Sequence, residues 1–141
     1  MILISACLVG VNCKYDGGNN LNEKILELVK NGEAILVCPE QLGGLCTPRI
    51  PSEISIIDNN RHVIMKDGTD VTDNFEKGAN EVLRLAKELN ITKAILKSKS
   101  PSCGCGLIYD GTFTGNKIIG NGITAQLLMD NGIEVITEND I

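Results

Sequence analysis

The chain has no tryptophan, one histidine, and only two tyrosines and two phenylalanines in 141 residues. Its core must therefore be aliphatic. It also lacks any long apolar run, so no stretch of about 20 residues is available to span a bilayer as a helix. An excess of positive charge is missing too: 13 Lys and Arg stand against 18 Asp and Glu, a net charge of −5. That balance provides no broad basic footprint for duplex DNA or an anionic membrane. Gly10, Gly17, Gly43 and Gly44 form neither a Walker A loop nor a dinucleotide fingerprint. No G-x-S-x-G elbow occurs. The segment Met1 to Cys7 has no basic n-region and too short an apolar run for a signal peptide. A cytoplasmic protein is expected, with its thiols kept reduced.

What is present is an ordinary globular composition, 43% hydrophobic and 22% charged, and a length suited to one domain over residues 1–141. Cysteine, at six residues, is the exception. In a reducing compartment six cysteines are metal ligands, nucleophiles or core residues rather than bridges.

Short apolar runs alternate with amphipathic ones. Strands are expected at Met1 to Ser5, Ala34 to Cys38, Lys93 to Lys97 and Ile133 to Ile136. Leu21, Ile25, Leu28 and Val29 have helical spacing, as do Ile123, Leu127 and Leu128. A longer helix carries Phe75, Ala79, Val82, Leu83, Ala86 and Leu89, with Thr72 or Asp73 as its cap. Glu53 to Asp58 and Arg61 to Lys66 read as a hairpin turning at Asn59 and Asn60. Leu107 to Ile119 reads as an extended, turn-rich excursion. The pattern predicts a three-layer, Rossmann-like α/β domain with a mainly parallel sheet and a small β-hairpin insertion.

Ligands of open α/β sheets bind beyond the carboxyl ends of the strands. Cys7 and Cys13 follow the first strand, Cys38 and Cys46 the second, and Cys103 and Cys105 the strand after the long helix. Taken alone, each cysteine reads as a core residue. Taken as a set on one rim, they read as a metal or thiol-chemistry site. Thiolates gathered from three loops suit zinc, copper(I) or an iron–sulfur cluster. Paired zinc knuckles and a ferredoxin-type run are both missing, which favours a cluster held by dispersed single cysteines. If each loop gave one thiolate to a four-iron cluster, one iron would stay open as a Lewis acid. Glu40, two residues after Cys38, is placed to act as general acid or base, or else to cap a short helix. Ser100 and Ser102 precede Cys103 and are placed to hold substrate or a water. Lys14, Arg49, Lys97 and Lys99 form a local positive collar. His62 lies in the hairpin, away from this rim.

Three motifs carry a resemblance. Ser5-Ala-Cys7-Leu-Val-Gly-Val-Asn-Cys13-Lys-Tyr-Asp-Gly17 is the first. Cys38-Pro-Glu-Gln-Leu-Gly-Gly-Leu45 followed by Thr47-Pro-Arg49 is the second. The third is Lys97-Ser-Lys-Ser-Pro-Ser-Cys103-Gly104 with Ile108-Tyr-Asp-Gly-Thr-Phe113. Together they resemble the TudS-type thiouracil desulfidase family over nearly the whole chain. The resemblance implies an enzyme that removes sulfur from thiolated uracil without net redox change, giving uracil and hydrosulfide. It implies a [4Fe-4S] cluster on Cys7, Cys38 and Cys103, whose fourth iron takes the substrate's sulfur. Glu40 would be the acid/base and Ser100 its helper. Cys13 competes with Cys7 for the first ligand position. Cys46 stands where the family pattern leads one to expect proline, and Cys105 is a further thiol; both are read as non-ligands. The expected partner is a small thiolated nucleobase, with thiolated tRNA ranked behind it because the domain is small and acidic. Two other classes compete: an iron–sulfur sensor or electron carrier, and cysteine-based sulfur transfer or thiol redox chemistry.

Overall fold

In the computed structural model, which describes residues 1–141, strand β1 (Ile2–Ser5) opens the chain and runs into a turn of 3-10 helix (Ala6–Val9). Helix α1 (Glu23–Lys30) begins where the Asn22 side chain accepts the Ile25 N–H at 3.2 Å. It is followed by β2 (Ala34–Val37) and the single-turn helix α2 (Pro39–Leu42). A hairpin of β3 (Ser52–Ile57) and β4 (Asn60–Met65) leads to the long helix α3 (Thr72–Glu88) and strand β5 (Lys93–Leu96). A second, short hairpin, β6 (Leu107–Tyr109) with β7 (Lys117–Ile119), precedes α4 (Ile123–Asp130) and β8 (Glu134–Thr137).

The central sheet is wholly parallel, in the order β2-β1-β5-β8. Leu3, Val37, Ala94, Leu96 and Val135 form one buried cluster with Val82, Leu83 and Ala86 of α3 and Ala125 and Leu128 of α4. On the opposite face Ile4 and Ile95 pack with Ile25 of α1. Helices on both faces give the three layers that the alternation of short strands and helices predicts. Removing a fully buried leucine such as Leu96 or Leu128 costs about 2–5 kcal/mol. No helix is long and apolar enough to cross a membrane.

Four local expectations differ from the structure. The hairpin turns at Asp58 and Asn59, whose φ values of 51° and 64° suit a tight two-residue turn, so Asn60 already pairs with Ile57. The N-terminus of α3 is not capped by Thr72 or Asp73: Asp70 accepts the Thr72 N–H at 2.9 Å, and the Thr72 hydroxyl oxygen instead accepts the N–H of Val63. Leu21 lies ahead of the α1 cap and stays exposed, as does Leu28, so Ile25 carries most of that helix's burial. The excursion after β5 is more ordered than its glycines suggest, because β6 and β7 pair antiparallel.

Candidate functional site

The strand order reverses direction between β1 and β5, since the chain goes outward from β1 to β2 and then returns to β5. Such a switch point opens a crevice at the strands' carboxyl ends. There the structure has a cavity of about 530 Å³. Cys7, Cys13, Cys38 and Cys103 all line it, together with Glu40 and Ser100. Cys46 is exposed and Cys105 half-buried, and neither lines the cavity. Six thiols on one rim thus resolve into four in the crevice and two outside it. His62 stands on the β3–β4 hairpin, paired with Asp70 at 2.9 Å.

Each cysteine loop is held by its own backbone. Cys7 sits in the 3-10 turn after β1, where Asn20 donates its amide N–H to the Cys7 carbonyl at 2.9 Å and its side-chain Nδ2 to the sulfur at 3.5 Å. Cys38 caps α2, and Pro39 at the first helical position presets the turn. Helix α2 lies directly against α3. A Cβ on Gly78 would come within 1.9 Å of the Pro39 carbonyl oxygen, and one on Gly43 within 2.0 Å of that of Asn74. The Cys103 loop is pressed onto α4: carbonyls of Pro101 and Ser102 accept the N–H groups of Ile123 and Thr124 at 2.8 and 2.9 Å. These bonds satisfy donors that the helix itself leaves orphaned. Ser100 tightens the same loop, its hydroxyl oxygen accepting the N–H of Ser102 at 3.1 Å and of Cys103 at 3.0 Å.

Cys13, buried at 2% exposure, joins two of the loops. Its carbonyl accepts the Cys38 thiol at 3.7 Å, and it lines the cavity with Cys7 and Cys38. The neighbouring Cys13 thiol outweighs burial and holds Cys38 near 6 and Cys7 near 7, whereas Cys13 itself is pushed far up by its two thiol neighbours. Burial pushes Cys103 up to about 12, against a hydrogen bond with Ser5. Two thiols are thus poised as thiolates near neutral pH, the form that binds metal. No three His, Cys, Asp or Glu side chains are arranged to hold a single metal ion. Thiols drawn from three loops around a roomy cavity fit a cluster of several irons better than one ion.

Glu40 lies in the first turn of α2, where its charge suits the helix dipole, but it makes no capping hydrogen bond. One carboxylate oxygen accepts from Arg49 Nε at 3.2 Å, and burial raises the carboxyl's pKa against the pull of that guanidinium. The Arg49 side chain is 4% exposed. Its remaining donors bind the Thr47 hydroxyl at 2.8 Å, the Cys46 carbonyl at 3.2 Å and the Cys13 carbonyl at 2.8 Å. Arg49 therefore locks the Glu40 loop to the loop of Cys13. Lys14, Lys97 and Lys99 also line the cavity, so the predicted collar is in place. Lys97 is paired with Glu138 at 2.9 Å and Lys14 with Asp16 at 3.6 Å.

Part of the cavity lining was not foreseen. It comes from the two hairpins, which contribute Glu53, Lys66, Tyr109 and Phe113. Of these, Tyr109 and Phe113 lie inside the third sequence motif. The usable signal was scarcity: in a chain with four Tyr and Phe, three of them line this cavity.

Comparison with known proteins gives three findings. The family model described as 2-thiouracil desulfurase matches residues 2–140. The uncharacterised protein YbbK of Bacillus subtilis strain 168 is 46% identical over 147 residues, covering 100% of this chain and 97% of its own. A solved structure of the [4Fe-4S]-dependent thiouracil desulfidase TudS superposes with a TM-score of 0.91 at 41% identity, over 99% of this chain and 91% of that one.

Proposed function

Because the chain belongs to the 2-thiouracil desulfurase family, we propose that it hydrolyses the carbon–sulfur bond of a thiolated uracil to give uracil and hydrosulfide. The observation that carries this reading is the meeting of thiols from three loops and the buried Glu40–Arg49 pair in one cavity. Cys7, Cys38 and Cys103, one from each loop, would hold a [4Fe-4S] cluster, and Cys13 would remain a protonated thiol between two of them. Bound there, the cluster would supply an iron without a protein ligand, a soft Lewis acid for the thiocarbonyl sulfur.

The protein's own groups have separable tasks. Arg49 engages one oxygen of Glu40, which fixes the carboxylate and leaves its second oxygen without a protein partner. That oxygen takes the proton of the water that attacks the thiocarbonyl carbon. Ser100 accepts two backbone N–H groups, so its oxygen is fixed and its own proton is free to donate. It holds the attacking water beside Glu40. Neither step needs an electron donor, because carbon exchanges sulfur for oxygen without changing oxidation state. All 141 residues would act as one such domain, in the reducing cytoplasm that free thiols require. The net charge of −5 favours a free nucleobase over thiolated tRNA.

The test is turnover by protein prepared without oxygen and supplied with thiouracil and no reductant. Uracil and hydrosulfide should form in equal amounts. A strict requirement for an electron donor, or sulfur appearing as persulfide on the protein, would overturn the reading in favour of redox or sulfur-transfer chemistry.

A further inference from the structure

Of the four Tyr and Phe residues, only Phe75 serves the core, at 1% exposure. Tyr15, Tyr109 and Phe113 line the cavity instead. An aliphatic protein this short of large apolar side chains gains most by burying them, so three rings kept at a cavity wall serve something other than packing. Tyr15 and Tyr109 each have a lysine ammonium over the ring, Lys14 at 5.6 Å and Lys117 at 5.7 Å. Phe113 differs in how it is held. Its φ is +57°, the left-handed region that a bulky residue rarely adopts. The Glu53 carboxylate, reaching across from β3, accepts the N–H of Phe113 at 3.2 Å and of Gly111 at 3.0 Å through the same oxygen. Gly111 can sit there only without a side chain, since a Cβ would lie 2.6 Å from the Ser55 hydroxyl. One hairpin thus grips the loop of the other and sets the Phe113 ring at the cavity.

We propose that Phe113 is a specificity-determining residue that stacks on the flat pyrimidine ring of the substrate, and that Glu53 is the positioning residue that holds it there. The inference rests on the thiouracil reading of the cavity and adds how the ring, rather than the sulfur, is recognised. Stacking reads a planar π-face and is tolerant of which ring carbon bears a substituent. The site should therefore select for aromatic planarity. It should discriminate against the dihydro analogue, whose saturated carbon–carbon bond puckers the ring.

The experiment uses cluster-loaded protein and two readouts: affinity for uracil by calorimetry, and kcat and KM for thiouracil and for its dihydro analogue. Phe113→Ala should weaken uracil binding by about 10- to 100-fold, the range of base–aromatic stacking. KM for thiouracil should rise similarly, with a much smaller change in kcat. Phe113→Leu, which keeps the bulk but loses the π-face, should show most of that loss, and Phe113→Tyr should restore binding. Glu53→Gln should weaken uracil binding in the same direction. The preference for planar over dihydro substrate should fall in both Phe113→Ala and Phe113→Leu. Uracil affinity unchanged in Phe113→Leu, or equal losses for planar and dihydro substrates, would overturn the role of Phe113 while wild-type turnover left the desulfidase reading standing. Wild-type protein that neither converts thiouracil nor binds uracil would overturn both.

Discussion

Glu40 and Arg49 form the one ion pair of the cavity in which the cation is almost wholly buried, so the two residues make opposite predictions when changed. Glu40→Gln keeps the shape and the cysteine loops. It should reduce turnover by about 10²- to 10⁴-fold, the usual worth of a general base, while iron content stays at the wild-type level. Arg49→Met should act on stability as well. It strands the Glu40 carboxylate and frees the carbonyls of Cys13 and Cys46. The loss should be about 3 kcal/mol, read from the urea midpoint. If Arg49→Met unfolds at the wild-type midpoint, the guanidinium does not tie the loops together. The cavity residues named from the motifs were legible because each follows a strand end directly, where chain position alone dictates location. The role of Cys13 was not. Its contact with Cys38 joins residues 25 apart in the chain, and nothing local in either segment encodes it.

At the scale of elements, the backbone contact between α2 and α3 fixes where Cys38 and Glu40 stand. Gly78→Ala would drive a methyl into the Pro39 carbonyl. Helix propensity favours alanine there, yet the variant should lose at least about 1–3 kcal/mol through overpacking and retain less iron. A stability equal to or above wild type would show that α2 yields at little cost. The junction between β4 and α3 makes a prediction in pH. Hydrogen bonds from Thr72, then from His62, hold Asp70 down near 2, below the ordinary aspartate value of about 3.9. A depressed carboxyl stabilises the fold above its unfolded pKa, and that contribution disappears as pH falls through the folded one. Asp70→Asn should therefore be less stable than wild type at neutral pH, and urea midpoints of the two should converge between about pH 4 and pH 2. A constant gap across that window would remove Asp70 as the cause. The helices and strands themselves were legible from periodicity, because apolar spacing reports which face meets the sheet. The α3 cap was misread because Asp70 is offset from the first helical residue and the Thr72 hydroxyl is spent on the neighbouring hairpin.

For the whole molecule, alternating strands and helices dictate a parallel sheet with helices on both faces, and this much follows from right-handed crossovers. Strand order does not, since each helix could return its strand to either side. The order β2-β1-β5-β8 is what turns three separate loops into one crevice. Of the two hairpins at the crevice, β3–β4 was legible as an insertion and β6–β7 only as a turn-rich excursion, and neither was placed at the site because contacts such as Glu53 with the Phe113 loop are long-range. If one thiolate from each of three loops holds a four-iron cluster, iron and acid-labile sulfide analysis of oxygen-free preparations of the wild type and the six single Cys→Ser variants should separate ligands from bystanders. About four irons and four sulfides per wild-type chain are expected. They should be lost in Cys7→Ser, Cys38→Ser and Cys103→Ser and retained in Cys13→Ser, Cys46→Ser and Cys105→Ser. Stoichiometric zinc in the wild type, or loss of iron in Cys13→Ser with retention in Cys7→Ser, would rule out this ligand set.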